Sequence, residues 1–289
     1  MQIAMIQDEI LPLSELDSIY LDRGTYFGDG VYEVVRSYDG KVFALDEHLA
    51  RLGRSLSEIG ITGVDIDEIR RRVEQAYEAA GIDNAKVYFH ITRGSQLRSH
   101  AGGRDLKPNF FLTVTELADD RVQKEQGIAV CTYPDWRWKR CDIKSLNLLP
   151  NVLARMEAER RGCAEAILVD EGGFITEAAG SAFFAIFEGR KLVTRPLGPE
   201  LLASITRRFV MELVPEVGLT VAEEAMTPAE AQSADELFIA VTTRDVVPVV
   251  QFDGAGIGTG RPGRYTKALI EAFREFVVSF DCAQDKRNS

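Results

Sequence analysis

Leu49, Leu52, Leu56 and Ile59 recur at helical spacing between polar residues and are followed by Gly60, which predicts a helix over 46–59. Ile69, Val73 and Ala76 repeat the pattern before Gly81 and predict a second helix over 67–80. Strands at 31–37 and 41–44 flank Asp39-Gly40, a hairpin signal. Strands at 86–92 and 109–115 enclose the polar loop "RGSQLRSHAGGRD". The run 116–126 carries no apolar period and reads as a connector. Beyond it the pattern predicts a strand at 128–133, a helix at 151–161 and hairpins across 170–173 and 188–190. A helix at 202–213, strands at 236–241 and 246–252, and a closing helix at 265–280 complete the chain. Strands and helices interspersed in this way give an α+β, partly α/β, fold in two domains. The expected division is a smaller domain at 1–118, a linker at 119–126 and a larger domain at 127–289.

The 289 residues suit two domains at roughly 150 residues each. A net charge of −11 argues against nucleic acid as a partner and does not favour anionic membranes. It leaves room for a small anionic ligand in a local basic pocket. No apolar run approaches membrane-spanning length, and the first residues do not form a signal peptide. Cys131, Cys141, Cys163 and Cys282 lack a CxxC spacing and read as reduced thiols of a cytoplasmic protein. The three histidines lack paired spacing, so no metal site is expected. The basic pair Lys286-Arg287 reads as a frayed end.

Candidate chemistry begins in "RWKRCDIKSLNLL", where Lys144 stands among Ile143, Leu146, Leu148 and Leu149. A lysine in apolar surroundings either reaches water or gives up its proton, and the second option leaves a nucleophilic amine. Downstream, "FITEAAGSAFF" puts Glu177 at a strand end before a turn of small residues, where a flat ring could approach closely. Ser204 or Thr206 can cap a helix start whose free amides suit a phosphate. Thr242-Thr243 leave the strand "ELFIAV", and Arg51 lies on the opposite face from the Leu49–Leu52–Leu56 stripe or at its margin. Taken singly, these are a snorkelling lysine, a solvated glutamate, a capped helix and a surface arginine. Together they supply an amine, a carboxylate for a ring nitrogen and several phosphate donors, a set that suits pyridoxal phosphate.

Their order resembles the fold-type IV pyridoxal-phosphate aminotransferases, and within them the D-amino-acid aminotransferase branch. The resemblance runs from "DRGTYFGDGVYEVV" through "YFHITRG", "RSH", "CDIKSLNLL" and "TEAAGSAFF" to "ITRR" and "DELFIAVTT". It implies that Lys144 forms the Schiff base and carries the proton, its amine neutral when released, while Glu177 faces the pyridine nitrogen. It implies that Arg51, the amide of Ile205 and the hydroxyls of Thr206 and Thr242 hold the phosphate. Tyr32, Arg98 and His100 would bind the substrate carboxylate and so set a preference for D-amino acids in a ping-pong transamination. It also implies a homodimer with the site between domains and subunits, the Arg98–His100 loop reaching the partner. Ala178-Ala179-Gly180 replaces a run of serines of that branch, and Val241 replaces a serine, so hydrogen bonds near ring and phosphate are fewer. A branched-chain L-amino-acid aminotransferase would show a tyrosine at the place of Leu149 and an Arg-Pro pair after the "YFH" strand. An aminodeoxychorismate lyase would share Lys144 and Glu177 but eliminate pyruvate. The intact Lys144 and Glu177 speak against a binding protein without turnover.

Overall fold

The computed structural model describes residues 1–103 and 105–285, so Lys286, Arg287 and the side chain of Cys282 lie outside the described residues. The chain opens with a hairpin, β1 (Ile3–Ile6) and β2 (Glu9–Pro12), and a short helix, α1 (Arg23–Phe27). An antiparallel sheet follows, built from β3 (Gly30–Tyr38), β4 (Lys41–Val42), β5 (Ala85–Thr92) and β6 (Asn109–Glu116). Its spatial order is β4-β3-β5-β6. Helices α2 (Leu45–Glu58) and α3 (Ile66–Ala80) cover one face. Successive side chains of a strand point to opposite faces. The odd positions Val31, Val35, Val87, Phe89 and Ile91 pack with Leu45, Leu49, Leu52, Leu56, Ile69 and Val73 into one core. The even positions Tyr32, Val34 and Lys86 turn the other way and line a cavity. The strand expected at 41–44 stops at Val42, because Ala44 takes a left-handed φ of 53° to start α2.

The connector is not without structure. Residues Arg121–Gln126 form α4, held by Lys124, whose ammonium is ion-paired with Asp120 at 3.0 Å and donates to Asp245 at 2.9 Å. The larger sheet then begins with β7 (Ile128–Pro134), β8 (Glu165–Val169), β9 (Ile175–Ala178), β10 (Ala182–Phe187) and β11 (Lys191–Thr194). Its remaining strands are β12 (Thr220–Glu223), β13 (Glu236–Val241), β14 (Asp245–Phe252) and β15 (Ala255–Gly256). The order is β12-β11-β10-β13-β14-β7-β8-β9, with β15 paired to β14. Parallel pairs join β7 to β8 and to β14, and β11 to β12; the other pairs are antiparallel.

Helix α5 (Leu149–Arg160) makes the crossover between the parallel strands β7 and β8. It packs Ala154 and Ala158 against Cys131, Ala166 and Leu168. Helices α6 (Ile205–Leu213) and α8 (Arg264–Asp285) close one core with Phe184, Phe209, Phe238 and Phe273. A second core gathers Ile128, Ile167, Phe183, Leu237, Val249 and Phe252, next to α7 (Pro228–Gln232). The helix expected over 202–213 begins later, because Ser204 caps it through a bond from the Arg207 amide. β1, β2, α1, β12, α7 and β15 are too short to leave a period in the sequence.

Candidate active site

The Lys144 segment reaches its place by acting as an extra strand on β3. The Tyr32 amide donates to the Lys144 carbonyl at 3.0 Å, and the Leu146 amide donates to the Gly30 carbonyl at 3.0 Å. Glycine is required at 30, since a Cβ there would stand 2.8 Å from Leu146 Cδ1 and 2.7 Å from the Ile91 carbonyl oxygen. The Ser55 hydroxyl of α2 accepts the Lys144 amide at 3.2 Å, and Ile143 is buried in the first core. These anchors present the Lys144 side chain, half-buried, to a cavity of about 270 Å³. Its ammonium lies 4.2 Å from the centroid of the Tyr32 ring, a cation–π contact.

Across that cavity stands Glu177, buried at the end of β9. It is clamped by Arg137, whose guanidinium bonds the Glu177 carboxylate and, at 2.9 and 2.7 Å, Asp135. The Leu202 amide reaches the same Glu177 oxygen at 3.4 Å. Burial pushes the Glu177 carboxyl above its usual range, and the Arg137 charge opposes that rise. Arg137 was not foreseen. In the sequence it is one of three basic residues before Cys141, and nothing there marks it as the buried one.

Arg51 is no surface arginine. It is buried, and its guanidinium forks onto Glu33 at 2.8 and 2.7 Å and onto the Ala203 carbonyl at 3.0 Å. Glu33 lies on the helix-facing side of β3, fully buried, and also meets His48 Nδ1 at 2.7 Å. Burial alone would raise its carboxyl, but Arg51 and His48 bring it down to about 2. His48 is itself pushed down by burial, against the pull of Glu33.

The cavity thus brings together five of the expected residues: Tyr32, Arg51, Lys144, Glu177 and Thr242. Ser204, the cap of α6, lines it as well. Ile205 borders a neighbouring cleft that shares Arg51 and Ser204, and Thr206 is buried just behind. Their amides are the first two of α6, so neither has an intrahelical acceptor. Arg98 and His100 are not among the residues lining the cavity of their own chain. Arg98 sits 5.2 Å over the Phe27 ring, and the carbonyls of Ser99 and His100 accept from Arg23 at 2.6 and 2.9 Å. As with Arg137, nothing in the sequence singles out Glu33, His48 or Lys86. Glu33 stood in a quoted motif, but its role exists only once α2 lies on β3.

The profile of the family Amino-transferase class IV matches residues 30–252. A D-alanine aminotransferase of Bacillus licheniformis is 38% identical over 259 residues, 89% of this chain and 91% of that protein. One from Staphylococcus haemolyticus is 36% identical over 95% of this chain and 97% of its own length. Among solved structures, a branched-chain amino acid aminotransferase of Escherichia coli superposes with a TM-score of 0.83 at 26% identity, covering 93% of this chain and 92% of that one. A second branched-chain amino acid aminotransferase, from T.th. and solved with pyridoxamine 5'-phosphate, gives 0.84 at 22% identity, covering 94% and 93%.

Proposed function

The chain belongs to the class IV aminotransferases, and on that premise we propose that it transfers the amino group of a D-amino acid to a 2-oxo acid, with pyridoxal 5'-phosphate as cofactor. The observation that carries this reading is one cavity in which the Lys144 amine, the Glu177–Arg137 pair and the Arg51 guanidinium converge. The donor set fits the cofactor. Ala178, Ala179 and Gly180 leave space for a flat ring, Glu177 matches a pyridine nitrogen, and Arg51 and the α6 amides match a phosphate. When bound, the cofactor supplies an electron sink for the pair left as the substrate Cα–H bond breaks.

The chain's own residues do the rest. Lys144 would anchor the cofactor between turnovers and, once released, would take the proton from the substrate Cα and deliver it to C4′ of the cofactor. Glu177, fixed by Arg137, holds the proton on the ring nitrogen. Arg51, oriented by Glu33, holds the phosphate with the Ile205 amide and the hydroxyls of Thr206 and Thr242. Tyr32 takes the substrate carboxylate together with Arg98 and His100. The Cα–H bond must point at Lys144, so the side on which the carboxylate is held decides the enantiomer.

The assembly belongs to the same proposal: a homodimer in which the Arg98–His100 loop completes the cavity of the second copy. Supporting it, α5 beside Lys144 exposes Leu149, Val152, Leu153 and Met156 as one apolar strip. We also assign the division at 119–126 between domains 1–118 and 127–289. A cytoplasmic location is favoured by the unpaired thiols of Cys131, Cys141 and Cys163. The D-amino-acid reading leans on the higher identity to D-alanine aminotransferases than to the branched-chain enzymes. Steady-state rates with D- and L-alanine, using 2-oxoglutarate as acceptor, test it. Faster turnover of D-alanine is expected, and faster turnover of L-alanine would overturn it.

A further inference from the structure

The cations lining the cavity are Arg51, Lys86, Arg137 and Lys144. Arg51 is matched by Glu33 at 2.7 Å and Arg137 by Asp135 at 2.7 Å. Lys144 is assigned to the chemistry. Lys86 remains. It projects from β5, half-buried, on the cavity face of the sheet, and lines the cavity together with Val34 and Thr243. Among the described residues its ammonium has neither an ion pair nor a hydrogen bond, although its cross-strand neighbour Arg36 is tied to Asp245 at 3.0 Å. Glu177 is the one carboxylate among the described lining residues, and Arg137 already holds it. The protein therefore offers Lys86 no anion within the cavity.

An ammonium that has no counter-ion, carried on a half-buried side chain, gains a charged partner when an anion enters the cavity. The cofactor's phosphate already has Arg51, the α6 amides and Thr242. The substrate's α-carboxylate is assigned to the neighbourhood of Tyr32. Tyr32 pairs with His90 and Arg36 with Lys86, so Lys86 stands four residues along β5 from the level of Tyr32. At roughly 3.3 Å per residue that is about 13 Å of strand, part of which the flexible lysine stem bridges. The interval is too long for the α-carboxylate itself and suits the far end of an extended substrate.

We propose that Lys86 determines specificity by binding the second carboxylate of a dicarboxylic amino acid or 2-oxo acid. The inference rests on the aminotransferase reading and deepens it to a substrate class. A flexible ammonium is adequate for this, because the far carboxylate needs a charge and no fixed plane. Loss of a charged hydrogen bond from an otherwise complete site changes binding by about tenfold or more.

The test uses holoenzyme of the wild type, Lys86→Met and Lys86→Arg. With D-alanine as donor, kcat/KM is measured for 2-oxoglutarate and for 2-oxopentanoate, which lacks the far carboxylate. The ratio of the two should fall about tenfold in Lys86→Met and be largely restored in Lys86→Arg. Calorimetric binding of glutarate against pentanoate should show the same loss without turnover. An equal loss on both acceptors would overturn the proposal, as would weakened cofactor binding in place of the ratio change. So would a wild type that does not prefer glutarate to pentanoate. A wild type that moves no amino group from D-alanine would sink the aminotransferase reading, and the calorimetric comparison would still decide Lys86.

Discussion

Glu33 occupies an odd position of β3, between Val31 and Val35, where the strand pattern asks for an apolar side chain. A carboxylate is tolerated there because Arg51 and His48 satisfy it, and in exchange it aims Arg51 at the cavity. Its pKa is carried from 4.5 to about 2, so its contribution is complete above the unfolded value and is lost as pH falls through the folded one. Wild-type stability to urea should therefore fall between about pH 4.5 and 2, by on the order of 3 kcal/mol from this group. Glu33→Gln should lack that decline and be destabilised by about 3 kcal/mol at pH 7, because the Arg51 charge is left uncompensated. A variant as stable as the wild type at pH 7 would contradict this. Arg137 acts in the opposite sense to burial on Glu177, so Arg137→Met should push the Glu177 carboxyl higher still. The acid limb of kcat/KM should then move to higher pH; an unmoved limb would refute the role. Lys144 and Glu177 were legible as candidates because each stands in a distinctive run, and both line the same cavity. Arg137 and Glu33 were not, since their meaning comes from partners far away in sequence.

Helix α5 has two apolar faces with different purposes. Ala154 and Ala158 sit close against β7 and β8, whereas Leu149, Val152, Leu153 and Met156 face outward. Val152→Glu should weaken the proposed dimer by about tenfold or more while leaving the alanine face packed. Sedimentation velocity checks this, and an unchanged dimer would contradict it. The periodic elements α2, α3, β3, β5 and β6 were legible to within a residue or so because their apolar faces pack into a single core. α4 was not, since its stability comes from Lys124 bridging Asp120 and Asp245 rather than from an apolar stripe. The late start of α6 depends on which of Ser204 and Thr206 caps it, a choice that only the packed chain makes.

At the scale of the whole molecule, the proposed site joins the inner cavity to a loop that does not line it in its own chain. In the proposed dimer, Lys144→Ala lacks the amine and Arg98→Leu lacks the carboxylate trap it lends to its neighbour. Each should be nearly inactive alone, yet subunit exchange between them should restore about a quarter of the wild-type sites, since half the dimers would be hybrids with one complete site. No recovery on mixing would place Arg98 in its own chain's site or outside the reaction. The most direct test of the central claim is the half-reaction with no acceptor present. Holoenzyme mixed with D-alanine should release one equivalent of pyruvate per cavity and stop, with loss of the visible absorbance that depends on Lys144, while L-alanine reacts more slowly. Pyruvate released repeatedly without an acceptor, or released faster from L-alanine, would contradict the account.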